Sequence, residues 1–269
     1  MSRPIVLFTD FGRGDEFVHA VERAIRSVLP LARIEHATHE IPPFDVYAGA
    51  AALLLSAGSL RGTVALAVVD PGVGSRRRPI ALGCHTGTWL VGPDNGLLVP
   101  AARACGGIRE AYEIVPARVA LAGVSPTFHG RDLFAPAAAI LAASDDGFLV
   151  GDPIEAEGLV PAPFEVGERF SVPVQTNVLG IDRFGNVRLC VRAEGIETRV
   201  GERFRVATAR VTRDAVVSLT FSDVERGEII IYPDSSGLLA IGVREGRADE
   251  VFGVGPSDAV SIEQPRRSL

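Results

Sequence analysis

A chain of 269 residues with 47% hydrophobic side chains can bury a sizeable core, and at roughly 150 residues per domain it predicts two domains. Its formal net charge of -6 excludes sequence-independent nucleic-acid binding, which needs a basic surface to release counterions, and the arginines Arg76 to Arg78 are too few to change that. Three cysteines (Cys84, Cys105, Cys190) are odd in number and lack metal-ligand spacing, which points to free thiols in a reducing compartment, with Cys84 and Cys190 buried in apolar runs. No apolar run is long enough for a signal peptide or membrane span, so the expectation is a soluble, cytoplasmic protein without membrane or nucleic-acid partners.

Ile5-Val6-Leu7-Phe8 predicts a short strand that ends at Thr9-Asp10-Phe11-Gly12, with an acid at its carboxyl end. After Gly14, the positions Phe17, Val18, Val21, Ala24, Ile25, Val28 and Leu29 follow the helical period, and Pro30 closes the helix. Residues 32 to 38 read as a strand, Pro42-Pro43 breaks the chain, and a small-residue helix runs from Val46 to Leu60. The apolar run Ala67-Val68-Val69 then stops at Asp70, before Pro71-Gly72-Val73-Gly74. This βαβαβ order predicts a parallel-rich sheet with helices on both faces, where ligands bind outside the carboxyl ends of the strands. Asp70 is thus a site candidate, and the arginines six to eight residues later, Arg76 to Arg78, are near enough for the loop to fold one guanidinium back onto it, although an ordinary ion pair for solubility has the same spacing.

Two short strands follow at 80 to 84 and 88 to 91, joined by a turn at Gly87, and lead into Gly92-Pro93-Asp94-Asn95-Gly96. A strand near 109 to 115 precedes the polar loop Ser125-Pro126-Thr127-Phe128-His129-Gly130-Arg131-Asp132 and an alanine-rich helix from about 133 to 144, for which Asp132 is the expected N-cap. Residues 144 to 171, rich in proline and glutamate, read as a linker between an α/β domain at 1–160 and a second domain at 170–269. There the short alternating runs 172 to 180, 187 to 192, 203 to 211, 228 to 232, 238 to 243 and 257 to 262 predict a smaller antiparallel β-barrel.

Strand-end acids and loop histidines give the candidates Asp10, Asp15, Asp70, Asp94, Asn95, His129 and Asp132. They suit a di-metal phosphohydrolase by residue type, but no two have a tight ligand spacing. A metal-free reading has the carboxylate orient a water, His129 serve as base or hydrogen-bond partner, and Arg77 hold the geometry. His36 and His39 are weaker candidates, His19 and His85 read as surface residues, and Trp89 and Tyr112 as core. Gly72-Val73-Gly74 lacks the third glycine of a dinucleotide fingerprint. In the second half Asp182-Arg183-Phe184-Gly185-Asn186, Phe221-Ser222-Asp223 and Asp234-Ser235-Ser236-Gly237 are either turns or site elements.

Together the motifs Thr9-Asp10-Phe11-Gly12, Thr38-His39-Glu40-Ile41, Val69 to Gly74 with Arg77, Pro93-Asp94-Asn95-Gly96, Thr127 to Asp132 with Phe134-Ala135-Pro136, and Asp182 with Phe184-Gly185-Asn186 resemble the S-adenosyl-L-methionine hydroxide adenosyltransferase family, related to bacterial fluorinase and chlorinase. The resemblance runs in order from about residue 5 to 260. It implies hydrolysis of S-adenosylmethionine to adenosine and methionine, with no metal and no cofactor beyond the substrate, by a water held by Asp70, Arg77 and His129. It further implies that Asp10 grips the ribose, Asp182 faces the methionine ammonium, Asn186 lies near the adenine, Ser235 meets the methionine carboxylate and Phe221 stacks on the purine, with Phe128 and Phe184 also in the substrate-binding set. It implies a homotrimer with sites at subunit interfaces. The chain departs from the family pattern at His36, where an aspartate is usual, and at Leu189-Cys190, where Thr-Asn is common. His129-Gly130 stands where the halogenating relatives carry Tyr-Ser, and their long inserted loop is missing, which favours water over halide. The competing expectations are a halide-using adenosyltransferase, a metal-dependent phosphohydrolase and a non-catalytic nucleoside binder.

Overall fold

The first strand, β1 (Ile5–Thr9), is buried along its whole length, as an unbroken apolar run covered on both faces requires. It belongs to a computed structural model that describes residues 2–265 and divides into two compact units between Pro163 and Phe164. In the first unit there follow α1 (Glu16–Val28), β2 (Ile34–Thr38), α2 (Val46–Ser56), β3 (Val64–Val68), β4 (Pro79–Cys84), β5 (Trp89–Pro93), α3 (Val99–Ala104), β6 (Ile108–Ile114), α4 (Pro116–Val119), α5 (Ala135–Ser144) and β7 (Gly151–Pro153). Their strands form one sheet in the order β2-β1-β3-β5-β4-β6-β7. Only β4 and β7 oppose the rest, so five of the seven strands share one direction.

Alternation along β1 sends Ile5 and Leu7 into a core shared with Val21 and Ile25 of α1 and the alanines of α5. Val6 and Phe8 therefore face the other side, where α2 packs on β1 and on α3. Asp15 caps α1 by accepting the Phe17 N–H at 3.2 Å, which gives this candidate acid a structural role. From β1 the chain passes to β2 on one side and returns to β3 on the other, so the β1/β3 boundary is a topological switch point. Thr9 and Val68 are register partners there, which makes Asp10 and Asp70 leave the same edge of the sheet side by side.

The second unit contains β8 (Val174–Ile181), β9 (Val187–Arg192), β10 (Arg203–Ala207), β11 (Thr212–Val217), β12 (Ile229–Pro233), β13 (Leu238–Val243), α6 (Ala248–Phe252) and β14 (Ala259–Glu263). The strands close into a barrel in the order β10-β11-β12-β13-β9-β8-β14, lined by Val178, Leu189, Phe204, Ile231 and Ile241 among others.

Four expectations are corrected. The barrel is not wholly antiparallel: β11 and β12 pair in parallel, because the residues between them return the chain to its starting end through the Phe221–Asp223 turn. β11 itself lay outside the expected runs, since Thr212, Arg213 and Asp214 are exposed and only Ala215 and Val217 alternate inward. The expected linker begins too early, because Gly151–Pro153 pairs with β6 as the sheet's edge. Asp132 is not an N-cap: its N–H already bonds the Phe128 carbonyl at 3.2 Å, and a wide turn in which the Ala135 N–H reaches back to Gly130 runs straight into α5. Trp89, Tyr112 and all three cysteines are buried. No helix among the described residues is long and apolar enough to cross a membrane.

Candidate active site

At the switch point Asp70, two residues past the end of β3, meets Arg77 from the loop that follows it. The guanidinium Nε donates to both carboxylate oxygens at 3.0 Å, and Nη2 reinforces the pair on Oδ2. These side chains are only 6% and 9% exposed, and the Arg77 plane lies 5.0 Å over the Phe134 ring. The same Nη2 is 2.9 Å from His129 Nδ1, on the turn that opens α5. The three side chains drawn from distant loops therefore form one connected group.

An arginine can only donate, so His129 Nδ1 must be the acceptor and the ring's proton sits on Nε2. Burial, and then the neighbouring Arg77 charge, hold the His129 pKa below its ordinary 6.5 against the pull of Asp70 and Asp132. A neutral His129 with its proton on Nε2 offers an N–H donor, which fits the hydrogen-bond partner among its two expected roles.

Two loops must approach closely for this contact. Gly74 has φ +76°, and a methyl there would collide with the Pro126 carbonyl oxygen, so only glycine lets the 71–78 loop rest on the 125–129 loop. Asp132 ties down the second loop by accepting the Ser125 N–H at 2.8 Å and Arg131 Nε at 2.6 Å. Burial opposes its charge, but the bonds from Arg131 and Ser125 outweigh that and hold its carboxyl below the usual range. Gly74→Ala is accordingly expected to cost about 2 kcal/mol of stability, read by urea unfolding, and to slow turnover by about tenfold or more by parting Arg77 from His129.

Asp70 and His129 open into a cleft of about 230 Å³ that is otherwise mostly apolar, walled by Val68, Val73, Phe11, Phe17, Phe44 and Phe128. Phe11, Phe17 and Phe128 hold one another, with ring centroids 5.1 to 6.1 Å apart. Asp10 lines the same cleft, and its Oδ2 accepts the Phe44 N–H at 2.9 Å. That bond fixes Phe44 in a left-handed conformation, φ +67°, with its side chain largely in solvent at 71% exposure. Strain of this kind in a bulky residue concentrates at functional sites. Sequence reasoning missed Phe44 and Phe17; the only signal was an aromatic stranded between Pro43 and the helix cap Asp45.

The other first-half candidates do structural work. Asp94 accepts from Arg78 Nε at 2.9 Å and from the Val160 N–H at 2.9 Å, and Asn95 Nδ2 bonds the Val69 carbonyl at 2.9 Å. His39 is buried and bonded to Thr9 and to His36. No group of three His, Cys, Asp or Glu side chains among the described residues is placed to hold a metal ion.

In the second unit Asp182 organises the turn between β8 and β9. Its Oδ1 accepts the N–H groups of Phe184 and Asn186 at 2.9 and 3.0 Å, and its Oδ2 the Asn186 side-chain amide at 2.8 Å. Burial works against its charge, but those bonds win and hold its carboxyl below the usual range. Phe184 projects from the turn at 70% exposure. A Cβ on Gly242 would come within 2.8 Å of both the Phe221 ring and Asn186 Oδ1, so that glycine lets the two candidates converge. Tyr232, which sequence reasoning also missed, packs 5.2 Å from Phe221, and burial followed by Asp182 and Asp234 pushes its hydroxyl up to about 12. Ser235 lies exposed in the adjoining turn, beside the Asp234 that pairs with Arg188 at 2.9 Å.

Comparison with known proteins finds relatives that cover both units. Residues 5–149 fit the SAM hydroxide adenosyltransferase N-terminal domain, and residues 176–261 the C-terminal domain. A Salinispora tropica protein named (R)-S-adenosyl-L-methionine hydrolase is 41% identical over 94% of this chain and 95% of its own. A Nocardia brasiliensis protein named fluorinase is 30% identical over 89% and 90%. A crystal structure of an uncharacterised conserved protein from Thermotoga maritima superposes with TM-score 0.87 at 32% identity, covering 97% of this chain and 100% of that one. The chain belongs to the SAM hydroxide adenosyltransferase family.

Proposed function

We propose that the chain hydrolyses S-adenosyl-L-methionine to adenosine and L-methionine, with water attacking the ribose C5′ in line with the departing sulfur. The observation that carries this reading is the Asp70–Arg77–His129 group at the cleft, an acceptor carboxylate and an Nε2–H donor both locked by one guanidinium. A water between them donates to Asp70 and accepts from His129, which leaves a lone pair free for the carbon. The sulfonium leaves as a neutral thioether, so no acid is needed; the O–C5′ bond forms, the C5′–S bond breaks and one proton goes to solvent. Catalysis is then alignment and partial dehydration of the nucleophile by apolar walls.

Neither metal nor cofactor has a part in these steps. Purified protein in buffer containing a chelator should convert S-adenosylmethionine to adenosine and methionine, resolved by chromatography. A halogenated nucleoside as the main product in chloride or fluoride would replace water by halide, loss of activity on chelation would restore the metal reading, and bound adenosine without turnover would leave a binding protein.

Asp10 supplies the grip on the ribose hydroxyls through the oxygen not spent on Phe44. Asp10→Ala should raise KM by about 10- to 100-fold with a smaller effect on kcat, the size of a lost hydrogen bond to a charged group. The pH dependence follows from His129. With its pKa below 6.5, protonation sets in only on the acid side and places an N–H against Arg77, so kcat/KM should stay level through neutrality and fall below the ordinary imidazole range. Arg77→Met, which removes the positive neighbour, should move that limb upward; a pH–rate profile reads both.

The barrel unit supplies the rest of the pocket: Asp182 for the ammonium, Asn186 for the adenine, Ser235 for the carboxylate, and Phe221 and Phe184 for apolar contact, beside Phe128 of the first-unit cleft. The same proposal makes the assembly a homotrimer with its sites at subunit interfaces. It is supported by the exposure of Phe44 and Phe184, large apolar side chains at the two candidate clusters. A cytoplasmic location, where thiols stay reduced, suits an odd number of cysteines, all three of them buried.

A further inference from the structure

We propose that Arg247 and Asp249, at the head of α6, are positioning residues for the substrate-binding turn 182–186. They hold from outside the main chain that Asp182 gathers from within. This deepens the reading of that turn as the seat of Asp182, Phe184 and Asn186, and rests on it.

A turn that offers three side chains to one ligand binds well only if its backbone is already ordered, because any freedom left in the loop is lost on binding. Asp182 does part of this. Its carboxylate takes the N–H groups of Phe184 and Asn186, its own N–H bonds the Asn186 carbonyl at 3.1 Å, and its carbonyl accepts the Gly185 N–H at 3.0 Å. These bonds close the turn on itself but use neither the Arg183 nor the Gly185 carbonyl.

Both of those carbonyls are met by one segment about sixty residues further on. Arg247 Nη1 donates to the Arg183 carbonyl at 3.1 Å, and the Asp249 N–H donates to the Gly185 carbonyl at 3.1 Å. Arg247 is itself held, with Nη2 donating to Asp249 Oδ2 at 2.8 Å and Nε 3.2 Å from Glu250 Oε1. Each guanidinium nitrogen thus has its own acceptor, which fixes a side chain that is 40% exposed. Bridging a carbonyl and a carboxylate at once suits the planar fork of an arginine, not the single ammonium of a lysine.

The turn also lies directly against the pair. Gly185 has φ +85°, and a Cβ there would come within 2.5 Å of Asp249 Oδ1 and 2.7 Å of Arg247 Cβ. Asp249 Oδ1 is buried without a hydrogen-bond partner, and a Cα hydrogen of Gly185 faces it instead. Between β13 and α6 the chain reverses through Glu245, at φ +55°, and the Gly246 N–H bonds the Val243 carbonyl at 3.2 Å. Residues 242–249 therefore shape the turn twice: Gly242 leaves room for Asn186, and Arg247 and Asp249 fasten Arg183 and Gly185.

Hydrogen exchange in ligand-free protein and ligand binding test this together. In Arg247→Ala the Phe184 and Asn186 amides should exchange about tenfold faster, while those of Ile231 and Leu239 in the barrel keep the parent rate. The adenosine Kd and the KM for S-adenosylmethionine should each rise about 5- to 10-fold, with kcat within about twofold of the parent. Arg247→Lys, which keeps the charge and one donor, should fall between the two. Unchanged exchange at Phe184 and Asn186, or faster exchange there with parental adenosine affinity, overturns the proposal. Faster exchange throughout the barrel also overturns it, because Arg247 would then serve only the stability of the unit. A parent protein that binds neither adenosine nor S-adenosylmethionine overturns the reading of the turn as a substrate site instead.

Discussion

Replacing Asp70 by asparagine or His129 by alanine should lower kcat by about 10² or more while adenosine affinity changes by less than about threefold. Neither group is assigned to the ribose or the base; each acts on the water, whose placement matters only as the O–C5′ bond forms. Asparagine at 70 keeps the side chain's shape and one oxygen for Arg77, but puts an N–H donor where the second acceptor was. Alanine at 70 is a poorer test. It strands the Arg77 charge at a site where both side chains are under a tenth exposed, and breaking a buried pair that way costs about 3–5 kcal/mol. The His129→Ala change frees one N–H of Arg77 while the Asp70 pair remains intact. Single-turnover rates against calorimetric adenosine binding separate the two quantities. Equal losses in both would mean that Asp70 and His129 hold substrate rather than nucleophile, and the proposed division of labour with Asp10 would fail.

How much of this was legible in the chain depends on sequence separation. β1 and α1 are local patterns, an apolar run and a helical stripe, and the structure follows both to within a residue or two. Asp70 and Arg77 lie seven residues apart, so their pairing could be read from spacing as one of two alternatives. His129 is 52 residues from Arg77, and no spacing argument reaches that far; residue type in a metal-free reading, and then the likeness of several motifs to one family, brought it to Asp70. Its tautomer was invisible as well, because it is set by which partner faces Nδ1. Asp132 shows the converse failure, where a residue type suited to capping sits inside a helix whose first bond starts from Phe128. β11 was lost since half of its residues face water and carry polar side chains. Phe44 could not be found from pattern because its importance lies in a backbone angle fixed by a carboxylate 34 residues away.

Co-expressing Asp70→Asn and Asp182→Ala chains should restore, at low substrate, activity that neither variant shows alone. In the three-fold ring proposed above each interface is heterologous, and a site shared across it joins the first unit of one subunit to the second unit of the next. A site that takes its first unit from an Asp182→Ala chain and its second from an Asp70→Asn chain contains both carboxylates. Random mixing at equal amounts makes about one quarter of the sites of this kind. The Asp182→Ala defect should appear in kcat/KM, since a carboxylate facing an ammonium contributes about 10- to 100-fold to binding and little to the bond changes. Assays at low substrate should therefore recover about a quarter of the parent kcat/KM in the whole mixture and about a third in trimers selected for a different tag on each variant. If each site were built within one chain, no site would hold both acids and the mixture would stay at the level of the variants. Light scattering supplies the control, because trimers that persist in both variants tie the recovered activity to shared sites rather than to rescued folding.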